Sequence, residues 1–145
     1  MEDSTSEAAD WLPLHDRWQS GERDRELALH LFFLSWHMVV EPAFLTGMDA
    51  AIPEFELVPL TVATAAWLLP HDADTDDVEA LYVVGLAANM FGFYFGDEKV
   101  WTAKAQSYRV RYRDLAPHGL DPKLFEGRGK YGRYYAQMAQ VVGGY

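Results

Sequence analysis

Cysteine is absent from this chain of 145 residues. That absence excludes a disulfide scaffold, thiolate-bound zinc, cysteine-held iron–sulfur clusters and a cysteine nucleophile. It also agrees with the cytoplasmic location expected here. Long hydrophobic runs are missing as well. Three apolar runs carry no Asp, Glu, Lys or Arg, Leu27 to Val40, Leu57 to His71 and Ala80 to Gly96, and they measure 14, 15 and 17 residues. A membrane-spanning helix needs about 20. With a mean hydropathy of −0.17, these runs read as buried core helices and no membrane association is expected. Nucleophile motifs are lacking too: Ser35, Thr46, Thr61 and Ser107 sit in no G-x-S-x-G context, and neither H-E-x-x-H nor a phosphate-binding glycine loop occurs.

Basic residues are scarce over the first two thirds of the chain. Residues 1 to 98 hold 3 of the 12 Lys and Arg and 19 of the 22 Asp and Glu, whereas residues 99 to 145 carry a net +6. Such a split points to a basic surface beside an acidic body, suited to an acidic partner, an anionic ligand or the protein's own acidic face.

What is present is helical periodicity. Trp11, Leu14 and Trp18 fall at i, i+3 and i+7, enough for a short amphipathic turn or two. A long helix is predicted from Glu22 to Glu41, with Ser20 as its N-cap and Pro42 as its stop. Residues 45 to 56 read as a loop. An alanine-rich helix follows to Leu69 with Pro59 in its first turn. Asp76 and Glu79 have capping-box spacing ahead of a helix from Val78 to Phe95. Gly96 and Asp97 read as a stop and a new N-cap for a helix from Glu98 to Leu115. Asp121-Pro122 marks a fresh helix start, and a glycine-rich basic arm precedes a last short helix from Tyr134 to Val142. The predicted fold is therefore all-α, a compact bundle of five to six helices. Residues 1 to 10 are expected to form an acidic, loosely held start, and residues 11 to 145 a single helical domain.

Two polar constellations stand out. On the apolar helix, Glu26, His30, His37 and Glu41 line up in one narrow stripe at about 100° per residue. Imidazole and carboxylate ligands together suit Zn, Fe or Mn, or an acid and base pair. The competing reading is a solvent-exposed stripe on an otherwise buried helix, in which His37 and Glu41 make an ordinary pair. On the following helix, Gly85, Asn89 and Gly92 share one line with Gly96, which predicts a groove in which Asn89 is the single polar side chain.

The acidic loop HDADTDDVE places Asp72, Asp74 and Asp76 at the first three oxygen positions of a calcium-binding loop. Asp77 then replaces the turn glycine and Val83 the closing glutamate, so a solvated loop with a helix cap is the better reading. The basic arm interleaves Arg109, Arg111, Tyr112 and Arg113, then Arg128, Lys130, Arg133 and Tyr134. Guanidinium forks with tyrosine faces suit anions or a protein partner. The overall charge of −10 argues against nucleic acid. These features predict a small helical interaction protein that self-associates as a homo-oligomer or binds a protein partner. A metal-dependent enzyme or small-ligand-binding protein centred on His30, His37 and Glu41 is the alternative.

Overall fold

The computed structural model describes residues 6–40 and 54–142, and these residues form six α-helices, two short 3-10 turns and no strand. The fold class is all-α, as the periodicity predicts. The chain gathers into two compact units, Met1–Leu68 and Leu69–Tyr145. Among the described residues, no helix is long and apolar enough to cross a membrane.

In the first unit, α1 (Glu7–Gln19) and α3 (Glu54–Leu68) both pack against α2 (Arg25–Val40). Helix α1 starts within the segment expected to be loosely held, because the Ser6 side chain accepts a hydrogen bond from the Ala9 backbone N–H at 3.1 Å. Ser20 does not cap α2 as predicted. It closes α1, its N–H donating to Asp16 O at 3.0 Å, and Gly21 at φ +100° carries the chain out of the helix. The cap of α2 falls to Asp24, whose carboxylate accepts from Leu27 N at 3.1 Å, so the helix begins three residues later than predicted. Helix α2 is buried almost all round, with Glu26, His30 and His37 only partly exposed. Helix α3 starts at Glu54, which places Pro59 beyond the first turn. Its buried Thr61 and Thr64 satisfy their hydroxyls on the Leu57 and Leu60 carbonyls at 2.9 and 2.8 Å. Glu41, Pro42 and most of the loop predicted after them lie outside the described residues.

In the second unit, α4 (Val78–Phe91) packs along α5 (Glu98–Leu115), and α6 (Gly129–Val142) packs on a 3-10 turn, Pro122–Phe125. The cap of α4 is Asp77, which accepts from Ala80 N at 3.1 Å; the predicted cap, Asp76, is taken by Arg111 instead. Helix α4 ends at Phe91 and gives way to a 3-10 turn at Gly92–Tyr94, four residues short of the predicted end. Asp97 caps α5 through Lys99 N and Val100 N, and α5 has the predicted bounds.

Helix α6 begins five residues before the predicted start, inside the glycine-rich arm. Gly127 and Gly129, at φ +71° and +65°, make the turn that leads into it. Gly132 serves a different need. A Cβ there would lie 2.1 Å from the Phe125 carbonyl oxygen and 2.9 Å from Arg128 Cβ, so only glycine lets α6 lie against the preceding 3-10 turn. Gly132→Ala should lower stability by about 2 kcal/mol or more in urea unfolding. Gly127→Ala, with open space around its Cβ position, should cost only the backbone strain of about 1 kcal/mol.

Candidate functional site

The predicted stripe on α2 is divided by its contacts. His30 Nε2 donates to Glu26 Oε2 at 2.9 Å, one turn away on the same helix. His37 Nδ1 donates to Glu7 Oε1 at 2.7 Å, with both side chains mostly buried. The partner comes from α1, whose first turn the sequence does not reveal as part of the site. The His37 ring is stacked on Phe33 at 5.0 Å and meets Trp36 edge-on at 5.5 Å. Nearby, buried Trp11 Nε1 donates to Ser35 Oγ at 3.0 Å, so two polar contacts fix the register of α1 on α2. Glu41, the fourth member of the stripe, lies outside the described residues. Among the described residues, no three His, Asp or Glu side chains converge as a set able to hold a metal ion.

The predicted groove on α4 is filled at its end by the chain itself. A Cβ on Gly92 would lie 3.2 Å from Trp101 Cβ, so this glycine admits Trp101 of α5 rather than a ligand. Gly85 is buried and Asn89 is exposed, so Asn89 does not line an enclosed pocket.

The basic arm is largely matched to the acidic loop. Lys104 Nζ donates to Asp72 Oδ1 at 2.8 Å, and the Tyr108 hydroxyl donates to the same oxygen at 3.3 Å. The Lys104 hydrogen bond holds the Asp72 carboxyl below its usual range, with Tyr108 adding a smaller share. Arg111 donates to the Thr75 carbonyl at 3.1 Å and to Asp76 at 2.7 Å. Asp72 and Asp76 are thus directed to different cations and do not form a calcium-type cluster. Arg109 and Lys130 are half-buried, Arg113 and Arg133 are exposed, and all four take part in interactions within the chain. Tyr112, predicted as a partner contact, is instead buried with its ring 5.2 Å from Tyr82; Tyr134 is half-buried, edge-on to Tyr135.

Arg128 has the most specific role. The carboxylate of Glu79, only 6% exposed, receives Arg128 Nη2 at 2.8 Å and the Tyr131 hydroxyl at 2.5 Å. Phe125, Tyr131 and Tyr135 pack beside one another in the same region, with ring centroids 5.0 to 6.1 Å apart. A buried carboxylate needs such partners, because the charge has lost its water.

A site that the periodicity does not reveal lies in the first unit. A cleft of about 470 Å3 opens between the end of α1, the Gly21 turn and the start of α3. Trp18, Pro59, Leu60 and Ala63 give it an apolar floor, and His15, Gln19, Arg23 and Glu56 supply its polar groups. The Arg23 guanidinium lies 3.6 Å from the Trp18 ring centroid, and its Nη1 donates to the Trp18 and Glu22 carbonyls at 2.9 and 2.8 Å. His15 is stacked on Trp11 at 4.3 Å and accepts a hydrogen bond from Gln19 Nε2 at 3.0 Å. Trp67 meets Trp18 edge-on at 6.3 Å and remains 39% exposed. The only sequence signal for this site is Trp18 followed by Gly21 and Arg23, a turn that returns a cation onto an indole.

Arg128→Met would leave the Glu79 charge without its cation and should destabilise the protein by about 3 kcal/mol, while adding Glu79→Leu should recover much of that loss, as urea unfolding would record. A second expectation concerns alkali. Burial raises the hydroxyls of Tyr82, Tyr108 and Tyr131 above the usual tyrosine range, and the Glu79 carboxylate adds to the rise at Tyr131. These phenols ionise near pH 10 in the unfolded chain, about the ordinary value, while the folded chain still holds their protons. The folded state then binds more protons, so stability is fully present below about pH 10 and falls as pH rises further. Urea midpoints that fall between about pH 9 and about pH 11, with the share of tyrosinate absorbance that belongs to these three phenols appearing only on unfolding, are the expected result.

No protein-family model, curated protein or solved structure matches this chain.

Proposed function

We propose that this chain is a helical binding protein that joins a basic protein partner through charged and aromatic surfaces, without covalent chemistry. The observation that carries this reading is where the net charge lies once the units are known. The second unit has nine Lys and Arg against ten Asp and Glu, a balance of −1. Lys104, Arg111 and Arg128 of that unit are already engaged by its own Asp72, Asp76 and Glu79. The first unit has three Arg against twelve Asp and Glu, a balance of −9. An excess of that size on 68 residues favours a partner of opposite charge and speeds their encounter.

Exposed aromatics supply apolar contact area for such a partner. Trp67 is exposed in the first unit, and in the second Phe93 and Tyr94 stand out with their rings 4.6 Å apart. Self-association through the first unit is disfavoured by like charge. The metal-dependent alternative gains no support from a stripe whose described members are divided between two pairs.

The test is affinity capture with the full chain from an extract of its source cells, followed by titration of the purified partner. The expected partner is basic and is released by salt. Asp16→Asn combined with Glu22→Gln should weaken binding about threefold or more at about 0.1 M salt. Asp74→Asn combined with Glu98→Gln, an equal change in the second unit, should have less effect. Binding that ignores both salt and the first pair of substitutions would sink the reading.

A further inference from the structure

We infer that the cleft between α1 and α3 is a binding site for a small zwitterion with an apolar side chain, the size and chemistry of a free apolar amino acid. The first argument is the state of Arg23. Its Nη1 donates to two backbone carbonyls, and its Cζ lies over the Trp18 ring, 3.6 Å from the centroid. That leaves the Nε–Nη2 edge, which has no partner among the described residues. This edge of a guanidinium receives a carboxylate through two parallel hydrogen bonds, and here it is fixed before the ligand arrives. Little side-chain entropy then remains to be lost on binding.

The second argument is the remainder of the lining. Trp18, Pro59, Leu60 and Ala63 form an apolar surface for a side chain, and the volume of about 470 Å3 falls within the range of small-ligand clefts. Glu56 lines the same cleft and offers a carboxylate to an ammonium group. With Gln19 donating to His15 Nε2, the neutral imidazole carries its proton on Nδ1, and Trp11 holds the ring by stacking.

Charge then selects among ligands. The cleft presents one fixed cation and one carboxylate, and it belongs to a unit with a balance of −9. A nucleotide or other polyanion is repelled by that field, and a simple cation is opposed by Arg23. A molecule with one group of each sign and no net charge meets neither penalty.

Titration of the full-length chain with L-phenylalanine and L-leucine, followed by calorimetry and by tryptophan fluorescence, tests this directly. Binding in the millimolar range or tighter is expected, about tenfold weaker for L-phenylalaninamide, which lacks the carboxylate, and for N-acetyl-L-phenylalanine, which lacks the ammonium. Arg23→Lys keeps the charge but not the fork and should weaken L-phenylalanine about tenfold. Glu56→Gln should abolish the preference for L-phenylalanine over its N-acetyl form. Equal binding of the acid and its amide, or no binding of either amino acid up to about 10 mM, would overturn the proposal. The ligand comparison on the unaltered protein decides the matter even if a variant fails to fold. No partner protein enters the experiment, so its outcome is separate from that of the partner reading.

Discussion

Twenty-two carboxylates against twelve Lys and Arg side chains leave ten negative charges without a cation, and the way the fold distributes that excess governs much else. The second unit resolves its share locally. Helix α5 brings Lys104 to Asp72 and Arg111 to Asp76, so the acidic loop is tied to the second helix after it rather than only to α4, which it leads into. Exposed pairs of this kind contribute little stability each. Their effect is to direct the loop ahead of α4 and to leave Asp77 for the helix cap. At Glu79 the constraint is stricter, because a carboxylate removed from water must be matched. Arg128, just before α6, and Tyr131, in its first turn, meet it, and Gly132 allows that turn to lie against the Phe125 carbonyl.

The first unit manages charge differently. It has few cations to spend, and two of the three lie around the Gly21 turn. Arg17 pairs with Glu22, its Nε donating at 3.0 Å, and Arg23 stacks on Trp18. The junction of α1 and α2 is thus held by cations, while the register of α1 on α2 rests on Glu7–His37 and Trp11–Ser35. Because those cations are concentrated at one turn, the rest of the unit is left strongly acidic, and the cleft beside the turn holds the fixed guanidinium of Arg23.

Legibility in the sequence followed the range of the signal. Helix α5 was readable to the residue because its start is local: Gly96 breaks the preceding turn and Asp97 caps the next helix within three residues. The end of α4 was misread because Gly92 and Phe93 continue an apolar pattern, while the helix yields to a neighbour, Trp101, that periodicity does not report. The start of α6 was misread for the opposite reason. Three glycines in a basic stretch look like an arm ahead of the helix, yet Gly132 is required by a close approach and Gly129 already belongs to the helix. Among the candidate residues, Glu26 and His30 meet as their spacing implies, since both are on one helix. His37 finds its partner thirty residues away, which no local pattern could show.

By itself the sequence determined the all-helical class, the helix boundaries that carry a local cap or breaker, the absence of thiol chemistry and the overall acidity, because those follow from composition and from periodicities of a few residues. Only the tertiary structure decided which charges meet. Tyr131 and Glu79 are 52 residues apart in the chain, Arg111 and Asp76 are 35, and His37 and Glu7 are 30. Such pairings depend on how helices pack, and many packings satisfy the same pattern of apolar residues. The cleft beside Arg23 is the clearest case, since its walls come from two helices and a turn that are brought together only by folding.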